Sequence, residues 1–560
     1  MTERYFPRLG ACFALAAALL GACSKQETDK PPAVELVISG GPIHTGAGNA
    51  LAEAVAVTDG RIVAVGRIAE ITGLIGPHTE KIDLAGAALY PGFTDAHAHL
   101  LGIGMRELTL NLEGVASIEE LVDIVAANVS ETSPGDTIYG RGWIETGWPE
   151  KRFPSRDDLD PVSPDNPVVL YRADGHAALA NSAALAAAGV NEATPDPEGG
   201  RIDRDSSGRP TGILIDNAMG LIGAVVGGPS PAAREDAYKI GAEVYAAYGW
   251  TGIHNMSVEP ADVAVMENLA KTGAVPIRIY NALDPEGLDW LIANTPHTDE
   301  TGRIVTRSVK LYVDGALGSR GAALSEPYSD RPDTAGLLLM QEGEALAMMR
   351  MAKNAGVQVA THAIGDRGNK LVLDWYEAVI SNDEPSPRWR IEHSQILHVE
   401  DIPRFADLGV IASMQPSHAI GDLYFAPDRL GAGRLAGAYA WRSLIDKGAI
   451  VAGGTDAPVE RGDPLIEFYA AVARKSLEGF SNPDWHPEQA VTREEALKMF
   501  TAGPAYASFQ EDELGTIEVG KRADFTAFSK DIMTIPDAEI LTAKATLTVV
   551  DGKVVYRRAE

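Results

Sequence analysis

Cysteine is almost absent: two occur in 560 residues, Cys12 and Cys23, both near the N-terminus. Beyond Cys23 the chain has no thiol, which excludes a disulfide within the folded part and any thiolate metal site. A metal ion here would have to be held by histidine, carboxylate or a lysine-derived oxygen. Positive charge is also scarce, with 48 Lys and Arg against 78 Asp and Glu and a formal net charge of −30. No basic stripe is available to offset phosphate repulsion, so nucleic acid is excluded as a partner. The acidity reads as a source of solubility. A long apolar run is missing too. The candidate at the N-terminus, Phe13 to Leu20, falls well short of the roughly 20 residues a membrane-spanning helix needs.

That short run fits a targeting segment instead. Arg4 and Arg8 give a basic start, and Leu20-Gly21-Ala22-Cys23 places small residues before a cysteine. The pattern resembles a lipobox, which makes 1–22 a lipoprotein signal peptide and Cys23 a lipidated N-terminus. A polar, proline-bearing tether follows over 23–33. An ordinary signal peptide cut nearby is the alternative. The expectation is a cell-envelope protein anchored at a membrane through Cys23. The outer membrane, periplasmic side, is favoured because Ser24 is not the acidic residue that often retains such proteins at the inner membrane.

What remains is rich in core-forming residues, 45% hydrophobic, and long enough for two or three domains. Residues 34–90 and 508–560 share a strand-like, glycine-broken texture, with turn signals at Asp59-Gly60 and Asp551-Gly552. They read as the two parts of one small β-sandwich domain built from both ends of the chain. Between them, apolar strands alternate with helical stretches that end at glycine. The strands are FTDAHAHL, within 91–104, then WTGIHNM, VPIRIYNAL, SVKLYVDG, VQVATHAIG, WRIEHSQ, VIASMQP and AIVAGGTDAP, within 229–507. Eight strand–helix units predict an α/β fold, a (β/α)8 TIM-like barrel. Residues 105–228, too long for a loop, read as an inserted subdomain leaning over the barrel mouth.

In FTDAHAHL, alternation along a strand puts His97 and His99 on one face with Asp95 in the same row. Two imidazoles aimed at one spot suit a metal ion, although His-x-His pairs also occur on solvated edges. Further polar residues recur at the ends of the proposed strands: Lys310 on the fourth, His362 on the fifth, His393 on the sixth and Asp456 on the eighth. Barrel active sites are assembled at that face from strands distant in sequence. The alternative for Lys310 is a structural cation paired with Asp314.

This combination resembles the amidohydrolase superfamily, and within it the family 3, YtcJ-like branch, to which N-substituted formamide deformylase is related. The phrases that carry the resemblance are YPGFTDAHAHL, DGHAALANSAAL, VKLYVDGALGSR, THAIGDRGN, RIEHSQ, GGTDAPV and LGTIEVGKRADF, spread from about Val34 to Tyr556. The resemblance implies a metal-dependent hydrolase barrel with one or two ions. His97, His99, His362, His393 and Asp456 match its ligands. Lys310 matches a lysine that is carboxylated to bridge two metals. Zinc is the first choice for imidazole and carboxylate ligands without thiolate, with another divalent transition metal as the alternative. The implied reaction is hydrolysis of a non-peptide C–N bond, in an amide, N-formyl compound or cyclic amide, by a metal-activated water.

Asp456 is then the residue that orients the water, takes its proton and passes it to the leaving nitrogen. Its alternative role is a cap on the loop after the eighth strand. His176, in DGHAALANSAAL, is a second catalytic candidate as an oxyanion donor, against a fold contact near Asn181. Arg320 is a candidate for a substrate carboxylate, or for pairing with a neighbouring acid. Trp143, Trp148 and Tyr171 are candidates for an apolar substrate wall. His254 ends the second strand with no required ligand role, and His398 and His418 remain candidates near the pocket. The expected partner is a small-molecule substrate, and a homodimer is compatible with the sequence. Two other functions compete: hydrolysis of a lactone or ester at the same site, and a lipid-anchored binding protein that has lost catalysis.

Overall fold

The computed structural model describes residues 33–48, 51–227, 229–380 and 386–559. The signal segment, Cys23 and all of the tether except Ala33 lie outside the described residues. Among the described residues, no helix is long and apolar enough to cross a membrane.

The centre of the molecule is a sheet of eight parallel strands: β1 Phe93–Ala98, β2 Trp250–Val258, β3 Arg278–Leu283, β4 Ile304–Tyr312, β5 Gln358–Ala363, β6 Arg390–His393, β7 Ile411–Met414 and β8 Val451–Gly453. They pair in chain order from β1 to β8, every pair parallel. These are the eight segments picked out by their apolar runs. Helices cover the sheet, so strand residues such as Ile253, Ile279, Val309, Val359 and Ile391 are buried. The helix Pro231–Tyr248 shows why the crossovers are helical. Ser230 caps its first turn by accepting from the Ala233 N–H, Pro231 opens it, and it ends at Gly249.

No ladder joins β8 to β1, which stand at the two ends of the strand order. Side chains and strand ends draw the ring shut instead. Asp95 Oδ1 accepts from the Thr455 N–H at 3.0 Å and Oδ2 accepts from Thr455 Oγ1 at 2.6 Å. The Asp456 N–H donates to the His97 carbonyl at 2.6 Å, and the His99 N–H to that of Ala457 at 2.8 Å.

The two chain ends share one eight-stranded sheet, joined where Ala88–Pro91 pairs antiparallel with Phe525–Phe528. Its hairpins turn at Asp59-Gly60 (φ 51° and 70°) and Asp551-Gly552 (φ 51° and 71°), positive values that a tight two-residue turn requires. Arg278 of β3 fastens this sheet to the barrel, forking onto Asp524 at 2.6 and 3.0 Å. Between β1 and β2 stands the insertion, a six-stranded sheet in the order 200–204, 210–216, 177–180, 168–172, 138–143, 110–111. It packs a core on each face: Trp143, Leu170 and Leu179 on one, Val169, Ala178 and Leu214 on the other, the period-2 alternation of a sheet buried on both sides.

Candidate metal centre and active site

The C-terminal ends of β1, β4, β5, β6 and β8 bring His97, His99, Lys310, His362, His393 and Asp456 together. The His97 and His393 rings are 4.7 Å apart, centre to centre, and those of His393 and His362 are 4.6 Å apart. Asp456 Oδ1 lies 3.1 Å from His99 Nε2 and 3.4 Å from His97 Nε2. Lys310 Nζ is 3.4 Å from His97 Nε2. Backbone geometry at two strand ends makes this convergence. Glu392 and His393 are neighbours that a flat strand would point to opposite faces. His393 takes φ 75° and Ser394 φ 43°, so the imidazole swings to the mouth beside Glu392. Asp456 likewise has φ 59°. Such left-handed backbone at non-glycine residues is costly and clusters at functional sites.

The donors fit a divalent cation. One ligand atom each from His97, His393 and Asp456 lie within 4.8 Å of one another, all buried. His362 Nε2 is buried with no hydrogen-bond partner, the condition of an imidazole waiting for a ligand. Protonation states agree. Burial, with the nearby Lys310 ammonium, pushes His97 down to about 4. Burial also takes His362 and His393 well below the ordinary imidazole range. Burial alone would raise Asp456, but the imidazoles of His97, His99 and His393 hold its carboxyl well below the usual range. Neutral imidazoles beside an ionised carboxylate are the state that binds metal. Lys310 is 1% exposed, and burial lowers its pKa.

A layer behind these residues was not read from the sequence. His97 Nδ1 bonds Glu392 Oε2 at 2.5 Å, which leaves Nε2 facing the cluster. Glu392 is gripped by Arg390, Nε to Oε1 at 2.7 Å and Nη2 to Oε2 at 2.9 Å. Arg390 also donates to the Ala96 carbonyl and Ser413 Oγ, and its Nη1 lies 2.7 Å from His254 Nδ1. Burial opposes ionisation of Glu392, but Arg390 and His97 hold it well below the usual carboxylate range. The signal was there in Arg390-Ile391-Glu392, two charged residues at i and i+2 inside an apolar strand. His393 is oriented in the same way, Nδ1 to Gln415 Oε1 at 2.9 Å.

His176 reaches the site from the insertion. Its Nδ1 bonds Asp216 Oδ1 at 2.6 Å, and its ring stands 5.2 Å from that of His362. Burial opposes the charged form, but Asp216 raises the His176 pKa. Asp216 is wedged against the loop after β4: a Cβ at Gly315 or Gly321 would come within 2.7 or 2.6 Å of its carboxylate oxygens. That contact accounts for the first and last glycines of DGALGSRG, Gly315 and Gly321. The helix cap near His176 is made by Asn181, whose Oδ1 accepts from the Ala184 N–H at 2.9 Å.

Several expectations are corrected by these contacts. Asp314 accepts from the backbone N–H groups of Ala323, Ile364 and Gly365, so it is not the partner of Lys310. The cap after β8 uses the Asp456 carbonyl, which accepts from the Val459 N–H at 2.8 Å, and the side chain is left to the cluster. An inner cavity of about 80 Å³ is lined by His176, His362, His393, His418 and Asp456, and by Ile144 and Arg172 of the insertion. Trp143 is not in its wall: it is buried in the insertion core and donates to the Leu170 carbonyl at 2.8 Å. Tyr171 is likewise outside, packed on Tyr139 at 5.5 Å. The following residue faces the cavity instead, Ile144 just past the end of one strand and Arg172 on the other, since a shift of one residue reverses the side. Arg320 is outside this cavity and forks onto Asp330 at 3.2 and 2.8 Å, the pairing with a neighbouring acid that the sequence also allowed. His418 lines the cavity with Nε2 free of hydrogen bonds and 3.8 Å from Asp456 Oδ2, while His398 bonds Ser325. A vestibule of about 450 Å³ shares Ile144, Ala173, Asp422, Phe425, Val459 and Glu460 with the inner cavity and includes Trp148.

Comparison with known proteins agrees with this geometry. The sequence profile of the Amidohydrolase family matches residues 80–556. The chain is 35% identical over 517 residues to the putative amidohydrolase YtcJ of Bacillus subtilis (strain 168), covering 90% of this chain and 96% of the relative. It is 30% identical over 528 residues to N-substituted formamide deformylase of Arthrobacter pascens, covering 91% and 96%. Two solved structures of uncharacterized metal-dependent hydrolases are similar throughout. That from Pyrococcus horikoshii OT3 has a TM-score of 0.72 at 28% identity, over 90% of this chain and all but 1% of the other, 99% being covered. That from Pyrococcus furiosus has a TM-score of 0.69 at 30% identity, over 89% and 100%.

Proposed function

This chain belongs to the amidohydrolase family, and we propose that it hydrolyses a non-peptide C–N bond, in an amide, an N-formyl compound or a cyclic amide, with one or two Zn2+ ions at the barrel mouth. The single observation that carries the proposal is the convergence of His97, His393 and Asp456 donor atoms within 4.8 Å. A bound divalent cation supplies Lewis acidity and makes water a nucleophile near neutral pH. The ligand set would be His97, His99, His362, His393 and Asp456. Lys310 would join as a carbamate, because its lowered pKa favours the neutral amine whose lone pair attacks carbon dioxide, with loss of a proton from nitrogen.

The rest is done by side chains. Ionised Asp456 holds the attacking water, accepts its proton on a carboxylate oxygen, and returns it to the leaving nitrogen as the C–N bond breaks. His176, anchored through Nδ1 by Asp216, offers Nε2–H to the carbonyl oxygen as charge builds there. Its raised pKa favours that second proton. The insertion walls the cavity with Ile144 and Arg172 and limits water around the reacting bond. The sequence Leu20-Gly21-Ala22-Cys23 supports a lipid anchor at Cys23 and a place in the cell envelope, at the outer membrane's periplasmic side.

A panel of N-formyl, N-acyl, cyclic amide and lactone compounds tests the reaction class on the zinc-loaded mature protein. Turnover of at least one amide class above the lactones is expected. Turnover of lactones alone would assign an esterase, and metal binding with no turnover of any class would assign a binding protein.

A further inference from the structure

In a chain of net charge −30, a local excess of cations stands out. One groove of about 480 Å³ has it: Lys151, Arg152, Arg201, Arg320, Arg331 and Arg429 line it, against Glu145, Asp203 and Asp428. Lys151, Arg152 and Arg201 come from the insertion, and the other three from the segments after β4 and β7. The groove adjoins the vestibule and the inner cavity. Trp148, Tyr424 and Phe425 line both it and the vestibule, and Phe425 also lines the inner cavity. Arg429 lies 3.4 Å from the carbonyl of Gly318, a residue of the inner cavity wall.

Many of these charges are already matched. Glu145 is held by the buried Arg172 at 2.8 and 3.2 Å. Arg152 forks onto Asp158, both contacts 2.8 Å, and Arg331 meets Asp333 at 2.8 Å. Arg320 and Arg429 share the single carboxylate of Asp330, so one of their charges is left over. Lys151 and Arg201 have no ion pair within 4.0 Å among the described residues. Arg201 Nε is buried with no hydrogen-bond partner, an unmet donor that a water, an ion or a ligand would satisfy. Three positive charges then face two free acids, Asp203, whose nearest donor is Thr211 Oγ1 at 2.9 Å, and Asp428. One monoanion would neutralise the groove.

We propose that this groove is the subsite for a carboxylate carried by the substrate, received by Arg201 and Lys151, so that the preferred amides end in a carboxylate beyond the bond that is cut. A guanidinium fork matches a carboxylate in shape as well as charge. The proposal rests on the C–N hydrolase function above and places the substrate's far end on the insertion.

The test compares glutaryl anilide with pentanoyl anilide, equal in chain length and differing in the terminal carboxylate. In the zinc-loaded wild type the acidic anilide should have a kcat/KM about 10-fold or more above the neutral one, mainly through KM. That ratio should collapse towards one in K151Q/R201Q. A ratio near one in the wild type, or one that K151Q/R201Q leaves intact, would overturn the subsite. If the double variant melts early, R201Q and K151Q are read singly, and each should lower the ratio. If neither anilide is cleaved, anilide hydrolysis is refuted but the subsite is still decided by calorimetry. Tighter binding of glutaryl anilide than pentanoyl anilide, lost in K151Q/R201Q, upholds it, and equal binding overturns it.

Discussion

Asp456 and Lys310 turn their side chains to the cluster and are central to the proposed chemistry. The Asp456 carboxylate contacts His97 and His99 and caps nothing. Asp456→Asn should therefore fold and melt near the wild type while kcat drops by about 10²–10⁴-fold, the usual contribution of a general acid–base group. Measuring kcat, metal content and Tm on one sample checks this, and near-normal kcat in the folded variant would remove Asp456 from the reaction. Lys310→Ala should lose metal occupancy more than stability. Bicarbonate should aid metal reconstitution of the wild type and not of the variant, and full metal content in Lys310→Ala would exclude a bridging role. His97, His99, Lys310, His362, His393 and Asp456 could be picked from the sequence because each ends a strand whose apolar text stands out. Asp216 could not, because its meaning lies in a partner 40 residues away, and the charged pair of Arg390 and Glu392 signals a buried polar role without pointing to His97, 295 residues away. Trp143 and Tyr171 missed the cavity by one residue each, since nothing in the strand's own sequence fixes which face meets the barrel.

At the scale of elements, the seam between β8 and β1 is the weak point of the ring, and Asp95 is its clasp. Four donors converge on its carboxylate: the N–H groups of His97 and Thr455, the Thr455 hydroxyl and the Tyr245 hydroxyl. Burial raises its pKa to about 6 despite them. Asp95→Ala strands these buried donors at about 1–3 kcal/mol each, with less than full additivity among neighbours. A loss of several kcal/mol and a clear drop in Tm are expected in thermal unfolding. A Tm close to the wild type's would show that the seam closes without it. The eight strands themselves were legible because each is an apolar run bounded by glycine, proline or a helical period. The clasp was half legible: alternation put Asp95 in the row of His97 and His99, but its partner Thr455 is 360 residues away.

Taken whole, the molecule joins an acidic chain to a candidate site built by two of its three parts: the barrel supplies the histidine and aspartate cluster, the insertion supplies His176 and the cavity wall, and the shared end sheet is fastened to the barrel at Arg278 of β3. Cys23→Ser should leave the protein unprocessed or free of membranes after cell fractionation, whereas the wild type should sediment with membranes and carry lipid on Cys23. A wild-type N-terminus at another residue, with the protein in the soluble fraction, would contradict the anchor. Sequence carried the barrel and most of the site but not the extent of the cavity, because that depends on how the insertion's sheet docks over the mouth.

The most direct measurement is a titration of chelator-stripped protein with zinc, following bound metal and hydrolysis of an N-formyl amine in the same sample. Activity should rise in proportion to bound zinc and level off at one or two equivalents, with the fold, read by circular dichroism, nearly constant throughout. Hydrolysis at full rate before any metal is added, or none at full occupancy across the amide panel, would contradict a metal-dependent C–N hydrolase.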